Sequence, residues 1–128
     1  MARITQRQAA RAIADRMTFH AGALNAERFY AGSSTHEGAM DSGDTYDQWR
    51  ADCKADRVTY VVRSYYTPIA WFTVDRGWIV PADKYSVTTS RHQGIVRRAV
   101  AEDQAYQQRL ADDFARARVI LDQIAAVR

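Results

Sequence analysis

Residues 57 to 88 do most to narrow what this chain can fold into. In the run VTYVVRSYY, Val58, Tyr60, Val62, Ser64 and Tyr66 share one side of an extended chain, and Thr59, Val61, Arg63 and Tyr65 share the other. Thr67-Pro68 interrupts, and Pro68 suits a strand start because it has no N–H for a central ladder. IAWFTV follows, then the turn Asp75-Arg76-Gly77, then WIV, then Ala82-Asp83-Lys84 before Tyr85-Ser86-Val87-Thr88. Short strands joined by short turns predict a small antiparallel meander of three to four strands over about residues 57–88.

Helical spacing flanks that block. Thr5 and Gln8 have capping-box spacing, and Ala9, Ala10, Ile13, Ala14 and Met17 form one apolar stripe, so a helix is predicted over 5–17. Arg7, Arg11 and Arg16 fall largely off the stripe and read as a solvated face. Some helical character is expected around Leu24 to Phe29. Ser90 and Gln93 repeat the capping-box spacing, so a second helix is predicted to start at Ser90 with Ile95, Val96, Ala99 and Val100 buried. Tyr106, Leu110, Phe114, Ala117, Leu121 and Ile124 then step by fours and threes. A single helix to the end would be about 58 Å long, so a break near Val100 to Gln104 is expected. So short a heptad-like stripe fits core packing better than a homodimer seam, which stays the alternative. The fold class predicted is α+β, a sheet packed with an N-terminal helix and one or two C-terminal helices.

With 128 residues the chain suits one domain, 1–128, large enough to need no disulfide or metal. Cys53 stands alone and fits a reducing compartment. The N-terminus lacks a continuous apolar signal core and no stretch is apolar enough to span a membrane, so a cytoplasmic protein is expected. Charge is uneven: residues 1–29 carry five arginines against two acids, and residues 30–56 carry two bases against six acids. The acidic stretch includes the Gly, Ser and Asp-rich run AGSSTHEGAMDSGD, and residues 31–56 read as an acidic surface insertion with a short helix bearing Tyr46, Trp49 and Cys53.

Chemistry is most concentrated at Thr88-Thr89-Ser90-Arg91-His92-Gln93. A helix start has unpaired N–H groups and partial positive charge, to which these residues add hydroxyls and cationic groups, a set able to hold a phosphate or carboxylate. Capping alone accounts for Ser90 and Gln93. His92 suits a hydrogen-bonding role in the turn better than a general base. No cofactor is implied, and His20, His36 and Cys53 lack metal-ligand spacing. Of the aromatics on the expected sheet, Tyr60, Tyr65, Tyr66, Trp71, Phe72 and Trp78, most read as core, with Arg63 and Tyr65 as the exposed pair.

SYYTPIAW at 64–71 followed by YSVTTSRHQ at 85–93 resembles a family of small phage and prophage proteins of unknown function. These pair a Tyr-Ser-Tyr-x-Thr-x-Ile-Ala segment with a Tyr-Ser-x-Thr-Thr-Ser-x-His-Gln segment. The second matches at every fixed position; the first departs at its opening tyrosine, here Arg63. The resemblance covers about residues 57 to 100. It implies a phage or prophage setting in a bacterial cytoplasm and carries no catalytic role with it. Ser64, Tyr65, Thr67, Tyr85, Thr88, Thr89, Ser90, His92 and Gln93 match the motifs and, with Arg63 and Arg91, form the candidate binding set. The leading expectation is a non-enzymatic accessory protein that binds nucleic acid or a host protein through the capped turn. A homodimer joined by the C-terminal helix is the second reading, and a hydrolase or nuclease using His92 the third.

Overall fold

A computed structural model describes residues 2–40 and 42–127. In chain order the elements are β1 (Ala2–Arg3), α1 (Gln6–Ala14), β2 (Phe19–Ala21), β3 (Leu24–Arg28), α2 (Asp44–Lys54), β4 (Val58–Ser64), β5 (Thr67–Thr73), β6 (Gly77–Ile79) and α3 (Val87–Ala126). The strands form one sheet in sequence order; β1 pairs parallel to β2 and every other pair is antiparallel. The class is α+β, with more strands than the meander alone supplies.

The extra strands are β1, β2 and β3, and the segment around Leu24 to Phe29, expected to have helical character, is β3. Asn, Ala and Glu favour strands poorly, but Leu24 and Ala26 point inward against Ser64 and Val62, and this cross-strand pairing decides the outcome. At the other end, Tyr85 to Thr88 is not a strand. Ser86 is the N-cap of α3, its hydroxyl accepting the Thr89 N–H, so the helix begins at Val87 rather than at Ser90. No break follows near Val100 to Gln104: α3 runs unbroken for 40 residues, about 60 Å. The predicted N-terminal helix is present and shorter, with both halves of the Thr5–Gln8 capping box formed.

Alternation divides the interior in two, except that a bulge between Val58 and Tyr60 turns Val58, expected on the side of Tyr60 and Val62, to the opposite face. On one face of the sheet α1 and the first half of α3 cover Phe19, Leu24, Tyr60, Val62 and Ile69. On the other, Met40 and Trp49 cover Val58, Val61 and Trp71. The acidic segment 31–56, expected on the surface, thus sends Met40, Trp49 and Asp52 inside. Trp49 meets Trp71 edge to face at 5.0 Å between ring centroids. Asp52 is buried because it is satisfied: it accepts the Trp71 indole N–H at 2.9 Å and pairs with Arg76.

The same device ties the helical layer down. Asp103 on α3 accepts the Trp78 indole N–H at 2.9 Å and pairs with Arg16, just beyond α1. Gln6 at the start of α1 meets His92 near the start of α3. Contacts at both ends in the same chain order make α1 and α3 parallel neighbours, with their N-termini at one end of the molecule.

Candidate binding site

The β4–β5 hairpin and the first turns of α3 bring the two sequence motifs together. Ser64 ends β4 and pairs with Thr67 across a two-residue loop. Its side chain points to the helical face, where its Oγ lies 3.0 Å from Thr89 Oγ1 and 2.6 Å from His92 Nδ1. Arg63, one residue earlier, points to the other face. Expected as exposed, Arg63 is instead 7% exposed, donates to Glu27 at 2.8 Å and to the Ser34 carbonyl at 2.6 Å. Strand alternation alone separates these neighbours in the motif.

The direction of the hydrogen bonds defines what the cluster can do. The Gln6 side-chain N–H donates to His92 Nε2 at 3.3 Å, so the imidazole proton sits on Nδ1 and is donated to Ser64 Oγ. Ser64 Oγ also shares a hydrogen bond with Thr89 Oγ1, which receives the Ser86 hydroxyl at 3.0 Å. Burial lowers the His92 pKa below the usual histidine range, which keeps the ring neutral in this chain of donors. A nucleophile–base pair needs the opposite polarity, with the serine proton aimed at the imidazole. Ser64 and His92 are each 1% exposed, so the network joins strand to helix inside the protein.

Other candidates separate by direction. Thr67 is buried and its Oγ1 accepts the Ala39 N–H at 2.8 Å, fastening the 31–43 loop to the hairpin. Gln93 is buried and donates to the Asp83 carbonyl at 2.6 Å, holding the chain that enters α3; it has no part in a cap. Ser90 and Arg91 face solvent, and Thr88 is half-buried. Tyr65 is exposed with φ +56, a backbone state bulky residues rarely adopt. An open recess of about 460 Å³ lies between hairpin and helix start, lined by Tyr65, Thr67, Tyr85, Ser86 and Thr88 among others. The Tyr85 hydroxyl is buried without a partner among the described residues, and burial, then the Asp83 charge, raises its pKa.

Among the described residues no group of His, Cys, Asp and Glu could hold a metal ion. The Cys53 thiol is pushed up to about 11, by burial first and by the Asp52 carboxylate second, so it stays protonated at neutral pH. Among the described residues no helix is long and apolar enough to cross a membrane.

Two features went unseen in the candidate set. Gln6 completes the His92 network from 86 residues away, with no local signal. The second is electrostatic and was readable: residues 1–14 and 84–101 hold Arg3, Arg7, Arg11, Lys84, Arg91, Arg97 and Arg98 and no acid. The rest of the chain has eleven bases against fifteen acids. Folding lays these two acid-free segments side by side, and all seven of their cationic side chains are exposed.

A family described as one of unknown function (DUF8033) matches residues 15–112, which includes both motifs and ends within α3. No curated protein and no solved structure matches the chain.

Proposed function

The chain belongs to this family of unknown function, and from its own geometry we propose that it is a non-enzymatic accessory protein that binds nucleic acid on the outer surface of α1 and α3. The observation that carries this reading is the pair of parallel helix starts. Neither helix has an acid in its first turn, although acids there are favourable against the helix dipole. Arg7 stands in the first turn of α1, and Arg91 is the fifth residue of α3, one turn in. Arg11, four residues after Arg7, and Arg98, seven after Arg91, continue each outward row. Among the described residues only Arg11 of these four has a carboxylate partner, Asp15 at 3.0 Å.

Arg7 adds charge at the positive end of α1, and the exposed cations of α3 lie on the neighbouring helix, a like-charge crowding that a polyanion relieves. Phosphates along a nucleic-acid backbone supply the charge in a row. The capped turn keeps part of its proposed role: Ser90 and Arg91 belong to this surface, while Thr89, His92 and Gln93 brace it from within. The resemblance of the paired motifs supports a phage or prophage setting and action in a bacterial cytoplasm.

Fluorescence anisotropy with labelled duplex and single-stranded DNA and with RNA, over a salt series, tests the reading. About four phosphate contacts give a log–log slope of about −3.6 on duplex DNA, or about a hundredfold loss of affinity between about 50 and 200 mM salt. No binding at low salt, or a flat salt dependence, overturns it.

A further inference from the structure

The interior of the protein uses α3 only as far as Asp103. Beyond it 24 further residues continue to Val127, about 36 Å of helix in which every residue but Leu110 is exposed. That segment is not polar. Phe114 is 75% exposed, Leu121 61% and Ile124 58%, with Val119 and Ile120 also outside. The stripe expected to pack in the core therefore has no partner among the described residues of its own chain. A helix whose apolar side faces water gains little from its own propensity and needs a surface to lie against.

The spacing identifies the surface. Leu110, Phe114, Ala117, Leu121 and Ile124 alternate steps of four and three, the d and a positions of a heptad. In that register Asp113 occupies a g position and Arg118 the e position five residues on. In a parallel pair of helices the g residue of one strand faces that following e residue of the other, so each Asp113 meets the partner's Arg118, twice per dimer. An antiparallel pair sets g against g and e against e, which loses this match. The pattern is complementary to itself in one orientation.

We propose that the distal half of α3 is a self-association surface, occupied by the same segment of a second copy in a parallel two-stranded coiled coil. The seam lies mostly past residue 112, outside the family match. It rests on the distal helix alone and is independent of nucleic-acid binding.

Sedimentation equilibrium over a concentration series tests the proposal. The full chain is expected at twice its 14.5 kDa mass, and Leu121→Asp at the single mass, with the dissociation constant raised at least about tenfold. Near-ultraviolet circular dichroism of the buried tryptophans checks that the domain stays folded in the variant. Asp113→Arg sets like charges across the seam and weakens association, whereas Asp113→Arg with Arg118→Asp restores it. A monomer at every concentration, or association indifferent to Leu121→Asp, overturns the proposal. Failure of the double exchange to rescue Asp113→Arg overturns the parallel register.

Discussion

Ser64→Ala removes one oxygen from the molecule and tests how the two motifs are joined. The hydroxyl accepts from His92 Nδ1 at 2.6 Å and faces Thr89 Oγ1 at 3.0 Å, at a site where all three residues are buried. Alanine fits the space and adds no strain. What it leaves is a buried imidazole N–H with no acceptor, and an orphaned donor of this kind costs about 1–3 kcal/mol. A loss of about 2 kcal/mol is expected. With an m-value of about 2 kcal/mol/M, urea titration followed by tryptophan fluorescence shows this as a midpoint lower by about 1 M, with the slope unchanged. His92→Leu is destabilising for the converse reason, since it strands Ser64. The double variant removes donor and acceptor together, so its loss falls short of the sum by about 1 kcal/mol or more. Strict additivity, or a loss under about 0.5 kcal/mol for Ser64→Ala, refutes the reasoning, because either result means the hydroxyl and imidazole do not depend on one another.

Further outcomes follow from single residues. Burial depresses the folded His92 pKa below the ordinary 6.5, so the unfolded chain binds a proton more readily. The histidine's contribution to stability is therefore present above about pH 6.5 and is lost as pH falls below it; urea midpoints at pH 7 and pH 5.5 should differ less in His92→Leu than in the parent. Gly38 has φ +57, and a Cβ there would sit 2.4 Å from Thr67 Cα, so Gly38→Ala is expected to lower stability by about 2 kcal/mol or more in the same titration. Tyr85→Phe removes a buried hydroxyl that has no partner among the described residues, and should leave the melting temperature unchanged or raise it by a few degrees.

The parts legible in the sequence were those set by local pattern. Alternation in 60–64 identified β4 and assigned Ser64 and Arg63 to opposite sides, while the bulge that turns Val58 to the other face left no mark in the pattern. The Thr5–Gln8 spacing located the start of α1. What escaped depended on partners distant in the chain. β3 is a strand because β2 and β4 flank it, and nothing in Leu-Asn-Ala-Glu-Arg announces that by propensity. Three hydroxyl residues in a row before His92 offered competing caps, and the entering chain, held by Gln93 to the Asp83 carbonyl, selects Ser86. Arg63 looked exposed because arginine usually is; Glu27 on the neighbouring strand and the Ser34 carbonyl make its burial tolerable. At the candidate site the sequence grouped the right segments, but only the fold separates the residues that brace it from those that face solvent.

Nucleic acid is proposed to bind the outer surface of the parallel helices and no other surface of the protein. The most direct measurement compares Arg91→Ala with Arg98→Ala as one double variant, and Arg50→Ala with Lys54→Ala as another on exposed positions of α2, across the sheet. Salt-dependent anisotropy on one duplex is recorded for each. The account predicts that the α3 variant binds more weakly and that its log–log salt slope is shallower by about 2, one unit per lost phosphate contact, while the α2 variant matches the parent. Equal weakening in both variants, or an unchanged slope in the α3 variant, contradicts it.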